Sequence, residues 1–329
     1  MEPISVTTPI SQAWERMVRI LFQPFDVKKW FVLGFCAFLA SLGEGGTNFN
    51  SNSFNQDRGG GGNFPDIESE IFPWIESHLG LVVMIALAFL LFVVVLMAVF
   101  GWLQARGTFM FIDGIAKNRG AVKEPWRLFR SLGNSLFVVK FFLGLVTFLV
   151  IMALAALALV MLWPVIESGG DGFDAALPVI VLSGVVTTVM ILVVVMISFV
   201  IEDLIVPAMY ANDATIGEAW GIVKSDLLPG NFSVLILYVL MKFVLGIGVA
   251  IVAVLAILLT CCIAALPYIG SVILLPLSVF MQGYNLYFVQ QFGERFRVFR
   301  FEDEAFDDDL GPLGGGDAGG DDPYPYKNL

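Results

Sequence analysis

The chain has 329 residues, 58% of them hydrophobic and only 14% charged, with a mean hydropathy of +0.84. A soluble domain of this length needs far more charge to cover its surface, so the composition excludes a water-soluble globule and directs the apolar excess toward lipid. The net charge of −11 does not mark an acidic soluble protein, because the acidic residues crowd into two loops and the C-terminal tail while the basic residues gather elsewhere.

Residues 1–24 contain an amphipathic helix over 9–22. Thr8 can cap it and Pro9 suits its first position. Ile10, Ala13, Trp14, Met17, Val18 and Leu21 recur at spacings of three and four, opposite Ser11, Gln12, Glu15, Arg16 and Arg19. Trp14 beside two arginines suits a headgroup layer, so the expectation is an interfacial helix anchored by Trp14. Docking of the same stripe on protein is the alternative.

Residues 25–300 carry six expected spans, near 25–43, 79–103, 141–166, 175–201, 243–266 and 271–293. The first has only 14 uncharged residues, Trp30–Gly43, against the roughly 20 that a crossing needs. Lys28 and Lys29 can snorkel, which lets the helix begin near Phe25. The 29 residues before Trp30 are too long and too structured for a signal-peptide n-region. Residues 44–77 form a Gly/Asn/Ser-rich outer loop of flexible composition. Its Gly59–Gly62 run is no phosphate loop, since no strand precedes it and no Lys-Ser/Thr follows.

Leu79–Leu103 is free of charge for 25 residues. A basic connector follows over 104–133, with Arg106, Lys117, Arg119, Lys123, Arg127 and Arg130 against Asp113 and Glu124. The loop after the third span contains Glu167, Asp171 and Asp174 and no basic residue; the connector 202–230 after the fourth is mixed. Phe243–Gly293 is uncharged for 51 residues, enough for two spans divided by the turn Pro267-Tyr268-Ile269-Gly270. Residues 301–329 are an acidic Gly/Asp tail, expected to be disordered.

Charge asymmetry sets the orientation. Arg16, Arg19, Lys28 and Lys29, then the six basic residues of connector 104–133, then Arg295, Arg297 and Arg300 all fall on one side of a six-span chain, leaving the other side only Arg58. That side is cytoplasmic by the positive-inside rule, with both termini inside a cytoplasmic (inner) membrane.

The two inner connectors resemble each other. Trp126 and Ser131, Gly133-Asn134 and Lys140 recur in order as Trp220 and Ser225, Gly230-Asn231 and Lys242. A parallel duplication predicts equivalent connector helices, each anchored at the inner interface by its tryptophan; chance similarity in low-complexity apolar sequence is the alternative.

Chemistry-bearing residues are few. His78 is the single histidine, which excludes a His-His metal site. Cys36, Cys261 and Cys262 lie in apolar runs and frame no disulfide loop. Glu202-Asp203 is the acidic pair at a span's end, able to hold a cation, relay protons or mark the membrane boundary. A helix aims neighbouring side chains apart, which weakens a shared site. Lys242 stands 11 residues beyond Asn231. A continuous helix from Asn231 places it about 16 Å inside the boundary, whereas a break before Phe243 leaves it snorkelling, as expected for Lys140. No catalytic residue, metal or cofactor is expected.

Ala13-Trp14, Phe199-Val-Ile-Glu-Asp-Leu-Ile-Val-Pro207, Ile216-Gly-Glu-Ala-Trp220 and Leu266-Pro-Tyr-Ile-Gly270 resemble the membrane domain attached to some bacterial glycerophosphodiester phosphodiesterases and related uncharacterised six-span proteins. The resemblance covers roughly residues 5–300 and lacks the soluble catalytic domain, so it implies a membrane module without that activity. The expectation is an all-α polytopic membrane protein with six transmembrane helices, a non-enzymatic scaffold or regulator. The alternative is a transporter or lipid-handling protein with a cavity between helical repeats. The partners expected are the lipid bilayer and a second membrane protein; nucleic acid is not among them.

Overall fold

The computed structural model describes residues 4–42, 77–167, 173–260, 263 and 266–299, and every regular element among them is helical. The chain divides into two units, residues 1–298 and 299–329, and the description concerns the first. The expectations for loop residues 44–76 and 168–172, for Cys261, Cys262 and Arg300, and for the tail 301–329 fall outside the described residues.

Helices α1 (Thr8–Phe22) and α2 (Val27–Ser41) precede the long helix α3 (Leu79–Ala116). A short α4 (Lys123–Leu128) leads into α5 (Arg130–Glu167), followed by α6 (Phe173–Val200). A π-helical turn at Ile201–Ile205 joins α6 to α7 (Val206–Asn212). Then come α8 (Ile216–Ile222), a second π turn at Val223–Leu227, α9 (Phe232–Leu259), α10 (Pro267–Ile273) and α11 (Leu275–Gln290).

Burial divides these helices along their length. The Gln104–Ala116 part of α3 is buried except at Thr108, as are Leu132 and Leu136 of α5, Ile201–Met209 except at Glu202, and Leu235 and Tyr238 of α9. Beyond them the same helices turn apolar side chains outward, from Leu79 to Phe100, Val138 to Trp163, Leu177 to Ile197 and Val239 to Leu259. Bare apolar surface on this scale is stable only where lipid covers it. Four helices are long and apolar enough to cross a membrane: Leu79–Ala116, Arg130–Trp163, Ile180–Asn212 and Phe232–Leu259. Helix α3, with 38 residues, runs about 57 Å, nearly twice the hydrocarbon thickness. Its apolar half fits a bilayer and its buried half belongs to the packed end.

The first and last expected spans are shorter than the expectation. Helix α2 has 15 residues. The 271–293 stretch is divided at Leu274, ahead of Pro276, so that α11 keeps 16 residues. Both helices serve the packed end: α2 lies against α3 and α10, and α11 against α1. The fifth span begins earlier than residue 243, because α9 is unbroken from Phe232.

The apolar stripe of α1 docks on protein rather than lying free against lipid. Ala13 sits against Gly283 of α11, where a Cβ would stand 3.5 Å from that of Ala13. Arg16, expected on the polar face, is buried and donates from Nε and Nη2 to the carbonyls of Ile115 and Ala116. It thereby satisfies open carbonyls at the C-terminus of α3. Trp14 stays 61% exposed at the edge of this contact, 6.3 Å from the Phe280 ring.

Each π turn precedes a proline by two residues. Val206 N–H bonds to the Ile201 carbonyl, and Leu228 N–H to the Val223 carbonyl, both reaching back five residues. Pro207 and Pro229 follow. In a regular α-helix their rings would meet the carbonyls of Asp203 and Ser225, and the wider turn relieves that clash.

Candidate functional site

The first π turn aims two adjacent carboxylates at two different helices. Glu202 accepts a hydrogen bond from Lys140 Nζ of α5 at 2.5 Å. Asp203 accepts from Lys242 Nζ of α9 at 2.6 Å on Oδ1 and 2.5 Å on Oδ2. The expected divergence of neighbouring side chains is therefore present, and its consequence is two ion pairs that tie α5 and α9 to one turn.

Asp203 is enclosed and Lys242 partly so, with side chains 5% and 29% exposed. Around the carboxylate, Tyr238 OH lies 3.2 Å from Oδ2 and also 3.2 Å from Asn285 Oδ1, and Asn285 Nδ2 lies 3.4 Å from Oδ1. Tyr238 and Lys242 are four residues apart, so they share a face of α9. Tyr238 stacks on Phe288 of α11 with ring centroids 4.0 Å apart, and Lys242 Nζ stands 5.4 Å from the Phe199 ring. A buried carboxylate costs several kcal/mol unless it is paired and hydrogen-bonded, and Asp203 has a lysine, an amide and a phenol within reach. This clasp holds α9, whose outward half exposes apolar side chains from Val239 to Leu259.

Both placements considered for Lys242 are modified. The helix is continuous through it, yet the ammonium reaches the packed end. Lys140 does not simply snorkel either: its side chain is 14% exposed and bound to Glu202. Sequence reasoning missed Tyr238 and Asn285. The four-residue spacing from Tyr238 to Lys242 was an available signal, as was a lone asparagine in an uncharged run.

A second cluster surrounds Asp113 of α3, whose side chain is fully buried. Lys117 Nζ lies 2.8 Å away, Arg119 donates at 2.9 and 3.1 Å, and Tyr210 OH of α7 lies at 3.1 Å. Arg119 also reaches Glu124 of α4 at 2.9 Å. At α8, Thr215 N–H and Oγ1 both donate to Glu218 at 2.8 Å. These bonds, the backbone one foremost, hold the Glu218 carboxyl below the usual carboxylate range.

The two connector tryptophans are not equivalent. Trp126 is half-buried against Trp102, with centroids 5.6 Å apart at 88°. Trp220 is 43% exposed and lines an apolar groove of about 660 Å³ with Val139, Val189, Val193, Met196 and Ile205. Cys36 is a buried free thiol. His78 hydrogen-bonds Ser77 at 2.7 Å on exposed surface. Among the described residues no three His, Cys, Asp or Glu side chains converge as a ligand set for a metal.

Four lipid-length apolar helices rooted in a polar-clasped end define the class, an all-α membrane protein. Residues 4–290 match the family of unknown function DUF7544, and the chain belongs to that family. No curated protein and no solved structure matches it at a significant level.

Proposed function

We propose that this chain is a non-enzymatic scaffold or regulatory protein of a cytoplasmic membrane, with six spans and both termini inside. The observation that carries the reading is the closure of its polar centre. Asp203 is ringed by Lys242, Tyr238 and Asn285, and a carboxylate so occupied offers no open position for substrate or ion. A proton or ion path would need such groups to face a water-filled cavity. The resemblance to the membrane domain attached to some glycerophosphodiester phosphodiesterases belongs to the same reading.

A lipid-handling role is the second reading, favoured by the groove between α5, α6 and α8. Its lining of Val139, Val189, Leu192, Val193, Met196 and Ile205 suits a hydrocarbon chain.

Reconstitution into liposomes tests the choice. The scaffold reading expects no proton or cation flux above protein-free vesicles and no transbilayer lipid movement. Flux abolished by Asp203→Asn contradicts it, and lipid movement abolished by Val193→Trp in the groove selects the second reading.

A further inference from the structure

Arg106 is a buried charged group whose hydrogen-bonding capacity is left partly unused. It lies on α3, three residues past the uncharged Leu79–Leu103 stretch, and is 6% exposed. Its guanidinium carbon sits 4.3 Å from the Trp102 ring centroid and 4.9 Å from that of Trp126. Nη2 makes one long hydrogen bond, 3.3 Å to Asn134 Oδ1, an oxygen that Trp102 Nε1 also approaches at 3.3 Å. Nε is buried with no hydrogen-bond partner. Gly133 allows this arrangement, because a Cβ there would stand 2.9 Å from Arg106 Cγ.

More positive charge stands beside it. Arg130 precedes Asn134 by four residues on α5, so it rises on the same helix face. Among the described residues no acidic side chain pairs with Arg106, Arg127 or Arg130. The nearby carboxylates are committed: Glu124 to Arg119, and Asp113 to Lys117 and Arg119. A desolvated cation without a counter-charge is costly, and cation–π contacts return only part of that cost. A phosphate oxygen on the guanidinium supplies the missing partner with charge-assisted hydrogen bonds.

We propose that Trp102, Arg106, Trp126 and Arg130 form a binding site for a phosphate group, and that the phosphate is the headgroup of an anionic phospholipid on the basic side of the membrane. The lipid source follows from position. Trp102 at the end of an uncharged 25-residue stretch, with Trp126 packed against it, marks the headgroup level, where basic pockets between spans take anionic lipids. The site is separate from the apolar groove, and it rests on the membrane reading without choosing between scaffold and lipid handling.

Native mass spectrometry of the full chain, with phosphatidylglycerol or phosphatidylcholine added, tests this. The wild type should retain phosphatidylglycerol preferentially. Arg130→Gln, at an exposed position, should weaken that preference roughly fivefold. Arg106→Gln should abolish it, and Arg106→Lys should restore only part of it. Inorganic phosphate, titrated against tryptophan fluorescence, is the soluble control and should act only at far higher concentration. Equal retention of both lipids overturns the proposal, as does undiminished preference in Arg130→Gln and Arg106→Lys. A fluorescence response to inorganic phosphate without lipid preference overturns the lipid source.

Discussion

Asp203 and Lys242, 39 residues apart in sequence, form the ion pair that fastens α9 to the π turn at Ile201–Ile205. Its neighbour Glu202 fastens α5 through Lys140. One turn, widened by Pro207, thus gathers two membrane-length helices.

Single substitutions in the enclosed pair should be costly. Lys242→Met leaves a buried carboxylate without its cation, and the expected loss is about 3–5 kcal/mol. Thermal unfolding in detergent checks this, and an unchanged melting temperature would show that Lys242 is merely a surface lysine.

The more accessible pair should matter less. Glu202 is 29% and Lys140 14% exposed at the side chain, so Glu202→Gln should cost about 1–2 kcal/mol. Combined with Lys242→Met its effect should be non-additive, because both substitutions act on one turn. Strict additivity in a double-mutant cycle argues against the turn as a shared anchor.

Helix α3 approaches α2 so closely at Gly107 that a Cβ there would lie 2.4 Å from Leu39 Cβ and 2.7 Å from Ala40 N. Backbone cannot yield cheaply, so Gly107→Ala should destabilise by about 1–3 kcal/mol. Gly80→Ala, where a Cβ meets nothing, is the matched control and should be neutral or slightly stabilising.

Glu218 gives the packed end an acid limb. Its folded pKa lies below the ordinary value, so its stabilisation is complete above the unfolded carboxyl pKa and is lost as pH falls through the folded one. Glu218→Gln should make melting temperature less steep in pH on the acid side. An identical acid slope in the two proteins refutes the assignment.

The sequence made the lipid-facing halves legible because a bilayer leaves a composition signal that no neighbour can alter: 25 uncharged residues from Leu79 to Leu103 are enough. The packed end was less legible because its order comes from tertiary contacts. The stripe of α1 is the same whether it meets lipid or α11, and only the close approach of Ala13 to Gly283 decides. Pro207 announced an irregular backbone but not a π turn. The connector repeat was visible as letters, yet its copies fold differently. Gly133 lies inside α5, where it admits Arg106, while Gly230 turns the chain at φ +76°. Lys140 and Lys242 nevertheless end on neighbouring acids, a correspondence that spacing alone did not contain.

Asp203 and Lys242 act as a closed structural lock in a membrane protein, and replacing both residues is the most direct check of that role. Lys242→Met and Asp203→Asn should each lower the melting temperature in lipid nanodiscs. The double replacement Asp203→Leu with Lys242→Met should recover most of the loss, because removing both charges also removes the cost of burying them. Silent single substitutions, or a double variant no better than the worse single one, would show that the pair is not a lock.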